Sequence, residues 1–313
     1  MNPAENLPLV SVLIPVYNHA SYVRRCLDSL LEDGWPNLEV LVIDDGSSDD
    51  SFAVIQEWRS QHQNAFYRFK LDRQTNQGLA TTLNILIGKA TGQYIKILAS
   101  DDYLVKEGIQ AGVKYLQNHN AKLAVFGDCL VVDESGNTVL ISGLTQFITP
   151  SIRPRVMSHP KLIPLEIILR WSILGPGLLL RSEAYAQPGI GLYDELLLVE
   201  DRDMYLRLTA KAALGHVNQC VAAYRWHGNN QSRPDDPRRK EHELALAVAA
   251  QKNAINFKGI ERMALQIDSI RWKTGQWKNS KDMKMKFLAI YARAIWKFLH
   301  LMHDFRVIIA LKS

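Results

Sequence analysis

The stretch VIDDGSSDDS, Val42 to Ser51, marks a point where an apolar run ends in a dense polar turn. Two adjacent aspartates, a glycine, two serines and two more aspartates follow each other there. A turn needs only one Asp or Gly, and neighbouring carboxylates repel each other. The segment is therefore either a heavily solvated turn or a group of acids placed to contact a ligand, and the rest of the chain has to decide between them.

Strands and helices alternate along the first hundred residues. One helical pattern follows Ser21, an N-cap candidate, and two further helical patterns cover residues 52–60 and 79–90. Between them lie short β-rich runs with few polar residues, as in buried strands: LVSVLIPVY, LEVLVI, FYRFKL and QYIKIL. This alternation predicts βαβ units and an α/β fold with a doubly wound, mostly parallel sheet.

Polar segments follow three of these predicted strands. They are PVYN, DDGSSDD and ASDD. In open α/β sheets, ligands bind beyond the carboxyl ends of the strands. Parallel strands would bring all three segments to one edge of the sheet, which favours a ligand site over a solvated turn.

The pattern changes after residue 122. A hairpin is predicted around residues 134–136, a short helix near residues 165–171, and continuous helix from Arg239 onward. We therefore expect one α/β domain over residues 1–238 and a helical C-terminal extension over residues 239–313.

Composition and cysteine usage are those of a globular protein. The chain has 313 residues, of which 47% are hydrophobic and 22% charged. Its three cysteines are widely spaced with no CxxC, which argues against a disulfide framework or a zinc site and fits a reducing compartment. The N-terminus carries an acid and no apolar core, so no signal peptide is predicted, and no apolar run is long enough to cross a bilayer. The expected location is cytoplasmic.

The positive charge is concentrated in the tail. Residues 271–313 contain 10 Lys and Arg against 2 Asp and Glu, a balance of +8. The whole chain has a formal net charge of +5, so the first 270 residues have a net charge of 5 − 8 = −3. This distribution argues against a nucleic-acid partner for the whole chain.

A helix over residues 284–303 would separate charged from apolar side chains. Lys286, Arg293, Lys297 and His300 would form a basic stripe. The opposite side would carry Phe287, Leu288, Tyr291, Ile295, Phe298, Leu299 and Met302. Such a helix suits a peripheral position on an anionic membrane surface, on the cytoplasmic face, or docking on its own domain; both readings stay open.

Five motifs in order resemble the family 2 glycosyltransferases of the GT-A fold, over roughly residues 9–232. They are VSVLIPVYN, LVIDDGSSDDS, NQGLATTLN, ILASDD and YDELLLVEDRDMYLRL. The resemblance implies a Rossmann-like nucleotide-binding α/β/α sandwich and an inverting, metal-dependent enzyme. Its donor would be a nucleotide-diphosphate sugar, with a UDP-sugar as the leading candidate. Its acceptor would be a glycan or a lipid-linked saccharide.

The resemblance also implies a nucleotide site. Asp45 would accept a hydrogen bond from the base, while Asp44 would support the turn and Asp49 and Asp50 would cap a helix. The other nucleotide-binding candidates are Pro15, Tyr17 and Asn18 as the wall for the base, Asn76 and Gly78 in the donor pocket, Asp101 near the ribose or the metal's water shell, and Arg225 over the diphosphate. Core packing is the alternative role for Tyr17.

A divalent cation is expected beside the diphosphate. Asp102 is the predicted metal ligand, and His227, expected on an exposed loop, is a second candidate. All-oxygen ligation would favour Mg²⁺ or Mn²⁺. The alternative is that Asp101 and Asp102 simply begin a helix in YLVKEGI. The chain also departs from the family pattern, with Ala99 in place of a frequent acid and Leu83 in place of a frequent arginine.

The motif VEDRDMYLRL supplies a candidate general base. Asp201 matches the family's base position, and Glu200 beside it is the second choice. The alternative is that these acids only favour a helix N-terminus.

Two enzyme alternatives lack their motifs. A sugar nucleotidylyltransferase would need a Gly-rich, basic loop after the first strand, and a dehydrogenase would need GxGxxG there; PVYNHASY has neither. A catalytically degenerate domain that binds nucleotide-sugars or scaffolds partners remains an alternative, since Ala99 and Leu83 depart from the family pattern.

Overall fold

A computed structural model describes residues 7–146, 156–157, 159–171, 173–228, 230, 237–275 and 283–312. The chain separates into two compact units. The first comprises Met1–Gln146, Ile173–Tyr193 and Ala213–His227; the second comprises Phe147–Ser172, Asp194–Ala212 and Gly228–Ser313. The second unit thus contains the predicted C-terminal extension and also three stretches that precede residue 239, namely residues 147–172, 194–212 and 228–238.

The first unit is built on a mixed sheet of nine described strands. In chain order they are β1 Val10–Val16, β2 Leu38–Asp44, β3 Arg68–Arg73, β4 Tyr94–Ile97, β5 Tyr103–Leu104, β6 Ala124–Val132, β7 Thr138–Leu140, β8 Leu178–Arg181 and β9 Leu214–Arg225. Their order across the sheet is β3-β2-β1-β4-β8-β6-β9-β5, and β7 pairs with β6.

The four strands predicted from the alternating pattern lie side by side. β3, β2, β1 and β4 run parallel to one another, which confirms the parallel part of the sheet. Val16 lies opposite Asp44 and Leu13 opposite Ile97, so the three strand ends with polar segments reach the same edge. Beyond β4 the sheet is mixed: β8 is antiparallel to β4 and β6, whereas β9 is parallel to β6.

Helices pack on this sheet through alternating side chains. The described helices of the first unit are α1 Ala20–Asp33, α2 Ser51–His62, α3 Leu79–Lys89 and α4 Gly108–Asn118. Val12 and Val42 join one buried cluster with side chains of α1, α2 and α4. Leu13 and Leu41 are buried outside that cluster, because successive strand side chains point to opposite faces; α3 contacts β1 and β2.

Two local expectations differ from the structure. α1 begins at Ala20 rather than after Ser21, because the Ala20 amide already donates to Asp49 Oδ2 at 2.9 Å. The segment after ASDD forms the short strand β5, and α4 begins only at Gly108. Asp101 and Asp102 therefore do not lie at a helix N-terminus. The predicted hairpin is present as the antiparallel pair β6 and β7.

The second unit is helical in its described part. Its helices are α5 Ile163–Arg170, α6 Glu200–Ala210, α7 Arg239–Ala254, α8 Gly259–Gly275 and α9 Met283–Lys312. Leu299 is buried in a cluster with Leu165, Leu206 and Leu265. Leu299 was predicted on the apolar side of this helix, and it faces the helices beneath α9. Among the described residues, none of the helices combines the length and apolarity that crossing a bilayer requires.

Candidate active site

The loops after β1 and β2 are joined by hydrogen bonds. The Asp45 amide donates to the Val16 carbonyl at 2.8 Å, and the Asn18 amide donates to Ser47 Oγ at 2.9 Å. Asn18 Oδ1 in turn accepts the Ser48 amide at 2.8 Å. Asn18 has φ of 55°, a left-handed conformation that Asn tolerates better than most residues. These contacts fix the two loops against each other at the sheet edge.

The residues expected to form the base wall differ in accessibility. Pro15 is buried within β1, opposite Ile43, so its part of the wall can only be backbone. The Tyr17 side chain, by contrast, is 50% exposed. Tyr17 is therefore not a core residue, and its ring can pack against a planar ligand.

Asp45 orders the loop before α3. Its Oδ1 accepts Gln74 Nε2 at 2.9 Å and the Gln77 amide at 2.8 Å, while Oδ2 accepts the Gly78 amide at 3.0 Å. Asn76 Oδ1 shares the Gly78 amide at 3.1 Å. A carboxylate has about four acceptor positions, and these three hydrogen bonds within the described chain use three of them. Asp45 can therefore hold this loop and still accept one further N–H.

Asp44 and Arg73 support the turn after β2. Asp44 Oδ1 accepts the Ser47 amide at 3.3 Å, and Asp44 Oδ2 lies 2.9 Å from Arg73 Nε. This is the turn-supporting role expected for Asp44. Arg73 was not singled out from the sequence, although it ends β3 beside the aspartate-rich strand end. Its half-exposed guanidinium adds positive charge to the edge.

Three side chains from separate segments form a potential metal-binding group. His19, Asp101 and His227 each offer a ligand atom, and these atoms lie within 4.8 Å of one another. Asp101 Oδ2 is 2.9 Å from His227 Nε2, and His19 Nδ1 is 2.7 Å from Ser100 Oγ. His19 was missed from the sequence, because one histidine in a loop carries no signal without its distant partners. His227 is buried, and the expectation of an exposed loop was wrong, because the ring packs against Tyr22.

The protonation states of this group suit a cation. Burial raises the pKa of Asp101, but the hydrogen bond from His227 and the charges of His19 and His227 outweigh it, and the net pKa is lowered. Burial lowers the pKa of His19 more than the Asp101 charge raises it. Asp101 is thus ionised and His19 neutral at neutral pH, the forms that bind metals. Two imidazole nitrogens and one carboxylate differ from the all-oxygen set predicted from the sequence.

Asp102 lies beside this group but contacts β9 instead. Its Oδ1 accepts the Arg225 amide at 2.8 Å, and the side chain is buried. Burial, reinforced by the charge of Asp101, raises the pKa of Asp102 well above its ordinary value. A role for Asp102 as metal ligand stays a prediction. Asp101, in contrast, belongs to the potential metal-binding group.

Arg225 holds the loops around it with its guanidinium. Nε donates to the Asp101 carbonyl at 2.9 Å, and Nη1 donates to the carbonyls of Glu134 at 2.9 Å and Asp133 at 3.2 Å. The guanidinium also stacks over the Tyr22 ring at 5.2 Å. Its predicted contact with a diphosphate stays a prediction, while these hydrogen bonds give it a structural role.

The two candidate bases lie in the first turn of α6, in the second unit. Burial, followed by the charge of Asp201, raises the pKa of Glu200 to about 8. Burial also raises the pKa of Asp201 to about 6. At pH 7 Asp201 is therefore mainly ionised and Glu200 mainly protonated. Of the two, Asp201 has the protonation state that a general base requires.

Buried ion pairs hold the start of α6. Asp201 Oδ1 accepts the Arg202 amide at 2.6 Å, and Arg202 Nη2 reaches Asp268 Oδ2 at 2.6 Å and the Ile168 carbonyl at 3.2 Å. Asp203 pairs with Arg207 at 2.8 Å. The acids of this motif thus divide into Asp203, which is paired inside the unit, and Glu200 and Asp201, whose pKa values are perturbed.

Comparison with known proteins identifies the domain. A family model described as Glycosyl transferase family 2 matches residues 11–155. Residues 11–155 therefore match a family 2 glycosyltransferase domain. The match includes His19, Asp45, Asp101 and Asp102, whereas His227 and the α6 acids lie beyond it.

A curated relative of the glycosyltransferase domain is a chondroitin synthase of Escherichia coli. It is 27% identical over 228 residues, which is 73% of this chain and 30% of the relative. The chain spans between about a quarter and about a third of the length of the first curated relatives it matches.

Solved glycosyltransferase structures share the fold. S. aureus TarS in complex with UDP-GlcNAc matches with a TM-score of 0.63 and 18% identity, over 92% of this chain and 80% of that chain. The mannosyltransferase PcManGT from Pyrobaculum calidifontis, in complex with GDP-Man and Mn²⁺, matches with a TM-score of 0.59 and 16% identity, over 99% and 88% of the two chains. These similarities confirm the predicted GT-A fold.

Proposed function

We propose that this chain is an inverting glycosyltransferase that moves a sugar from a nucleotide-diphosphate sugar to a hydroxyl of a glycan or lipid-linked saccharide. The observation that carries the proposal is the sheet edge of the family 2 domain, where Tyr17, Asp45 and Asp101 lie on loops after three neighbouring parallel strands. A UDP-sugar is the first donor candidate, since TarS is solved with UDP-GlcNAc. A glycan acceptor is supported by the chondroitin synthase relative.

The chain's own residues would hold the nucleotide. The exposed Tyr17 ring would pack against the base, and the remaining acceptor position of Asp45 would receive a base N–H. The loop containing Asn76 and Gly78 is already ordered by Asp45, so it presents a fixed wall to the donor. Arg73 would add positive charge near the phosphates.

The group of His19, Asp101 and His227 fits a divalent cation. It offers one ionised carboxylate and two imidazoles from three loops, with ligand atoms close enough to share one ion. A bound cation supplies positive charge that stabilises a diphosphate leaving group. Imidazole ligands suit Mn²⁺ better than Mg²⁺, which prefers oxygen ligands; PcManGT is solved with Mn²⁺. We therefore favour Mn²⁺ among the two ions expected.

Asp201 would act as the general base. In an inverting transfer, the acceptor oxygen bonds to the anomeric carbon from the face opposite the leaving group, while the bond between that carbon and the nucleotide diphosphate breaks. The hydroxyl proton passes to the Asp201 carboxylate, a contribution of about 10²–10⁴-fold to the rate. Glu200, protonated at neutral pH, would not compete for that proton.

The degenerate alternative rests on the departures from the family pattern at Ala99 and Leu83. The metal-binding group and a carboxylate with a perturbed pKa are both present in the described chain, and a pure binding module needs no general base. The proposal includes no nucleic-acid partner. The cytoplasmic location stays a prediction.

A thermal-shift panel tests the proposal. The full chain is heated with UDP, UDP-sugars, GDP and GDP-mannose, each with Mn²⁺, Mg²⁺ or EDTA, and stabilisation is expected to be largest for one nucleotide with Mn²⁺. Donor turnover is then measured with and without a glycan extract. Absence of any nucleotide-dependent shift would contradict the proposal, and a shift without turnover in any extract would support the degenerate alternative.

A further inference from the structure

Helix α9 exposes a continuous apolar face. Nine of its large apolar side chains are between 47% and 68% exposed. They are Met283, Phe287, Ile290, Tyr291, Phe298, Leu301, Phe305, Ile308 and Ile309. At 3.6 residues per turn they fall within an arc of about 100°, the width of the apolar stripe by which a helix packs against a surface. Phe287, Tyr291 and Phe298 also belong to the apolar side predicted from the sequence, whereas Leu299 of that side is buried against its own unit.

The opposite face of α9 packs against its own unit. Ala292, Leu299 and Val307 are buried there. His303 Nε2 lies 2.7 Å from Glu166 Oε2 on α5, and both side chains are buried. Arg170, also on α5, pairs with Asp304. These contacts fix the rotation of α9 on the second unit, so the apolar face points away from the helices that it packs on.

Positive charges border the exposed face. α9 carries six lysines and arginines against one aspartate, and that aspartate is paired with Arg170. Lys286 and Lys297 are exposed along one border, and Arg306 is exposed beyond the other. A second copy of this helix would bring two strongly basic surfaces together, which costs free energy through like-charge repulsion. An anionic surface would instead neutralise these cations.

We propose that α9 is an in-plane membrane anchor that places its apolar face among the acyl chains of an anionic bilayer and its flanking cations at the lipid headgroups. A helix with a broad apolar face, bordering cations and insufficient apolar length to span the bilayer has the composition of an interfacial helix. Its 30 residues extend about 45 Å along the membrane plane. This anchor is independent of the donor chemistry proposed above.

Vesicle co-sedimentation of the full chain tests the anchor. Binding is expected to vesicles of phosphatidylcholine with phosphatidylglycerol, to be weaker with phosphatidylcholine alone, and to fall with added salt. The double substitution Phe298→Ser and Leu301→Ser should weaken binding by at least about tenfold, because two apolar side chains no longer enter the bilayer. The control Ile255→Ser changes an exposed apolar residue between α7 and α8 and should leave binding unchanged.

Charge substitutions form the second arm. The pair Lys286→Gln and Lys297→Gln should weaken binding to anionic vesicles by about fivefold per cation, whereas Lys258→Gln outside α9 should not. Circular dichroism checks that every variant is folded. Failure of the folded full chain to bind anionic vesicles overturns the proposal. So does a dimer in solution that the Phe298 and Leu301 substitutions convert to monomer, because a second copy would then cover the face.

Discussion

Asp101 Oδ2 and His227 Nε2 lie 2.9 Å apart, although 126 positions separate them in the chain. This contact joins the loop after β4 to the segment after β9. Both atoms also belong to the potential metal-binding group. A cation bound there would take the place of the hydrogen bond, so metal binding and loop position are coupled.

Asp101→Asn is expected to abolish Mn²⁺-dependent stabilisation of the protein, because the variant removes the only carboxylate of the described three-residue group. Asp102→Asn is the matched control: it keeps an oxygen that can accept the Arg225 amide, and the metal-dependent shift should remain. Thermal unfolding with increasing Mn²⁺, with and without UDP, measures both. The reverse pattern would restore Asp102 as the principal ligand.

Loss of transfer activity at low pH is expected to follow the ionisation of Asp201. A general base works only when deprotonated, and the pKa of Asp201 is raised to about 6. Activity should therefore fall about tenfold per pH unit below that value. Initial rates under saturating donor, measured from pH 5 to pH 8, give the profile, and a rate that is independent of pH across that range would contradict the assignment.

Asp201→Asn should lower the transfer rate by about 10²-fold or more while donor affinity changes little. Glu200→Gln should have a milder effect, since the glutamine resembles the protonated acid already present at pH 7. Steady-state kinetics and nucleotide titration separate the two effects. If Glu200→Gln abolishes turnover and Asp201→Asn does not, their roles are exchanged.

Asp268→Asn should destabilise the protein strongly. Asp268 is buried and pairs with both Arg202 and Arg271, so its neutralisation leaves Arg202 buried without its counter-charge. Breaking such a pair costs about 3–5 kcal/mol in the free energy of unfolding. The exposed pair of Arg24 and Glu57 offers the control Glu57→Gln, expected to cost less than about 1 kcal/mol. Denaturant unfolding of both variants provides the measurement, and equal costs would show that burial does not matter here.

Gly46→Ala should lower both stability and nucleotide affinity. Gly46 has φ of 78°, and a Cβ there would lie 2.8 Å from the Asn76 amide nitrogen, so the Asn76 loop would have to move. Gly34→Ala is matched in backbone conformation, with φ of 84°, but its Cβ would meet no atom within 4 Å. The Gly34 variant therefore measures only the free-energy cost of placing alanine at a positive φ, about 1–3 kcal/mol. A Gly46 variant that behaves like the Gly34 variant in melting temperature and UDP titration would exclude a steric role.

The parallel half of the sheet could be predicted because its signal is local. β1, β2 and β4 are short apolar runs followed by polar segments, and that pattern requires no knowledge of distant partners. The positions of β8 and β9 could not be predicted, since the pairing of β8 between β4 and β6 joins segments far apart in the chain. Strand order at such separations depends on tertiary packing rather than on local pattern.

The same difference between local patterns and contacts of distant segments explains which residues of the candidate site could be predicted. Asp45, Asp101 and Asp201 stand out because acids cluster in their motifs, whereas His19 and Arg73 have meaning only through side chains from other strands. The role of Arg225 was also hidden, because its guanidinium binds backbone carbonyls, which leave no trace in sequence. Sequence reasoning thus finds the charged motifs and misses the residues that connect them.

The hydrogen bonds from Asp45 to the Gln74–Gly78 loop have a consequence for donor affinity. Fixing the backbone of one residue costs about 1–2 kcal/mol of conformational entropy. Because Asp45 accepts hydrogen bonds from Gln74, Gln77 and Gly78 within the chain itself, that ordering takes place when the chain folds. This loop therefore does not lose conformational entropy each time a donor binds. Ordering the loop adds no unfavourable contribution to the binding free energy of the nucleotide.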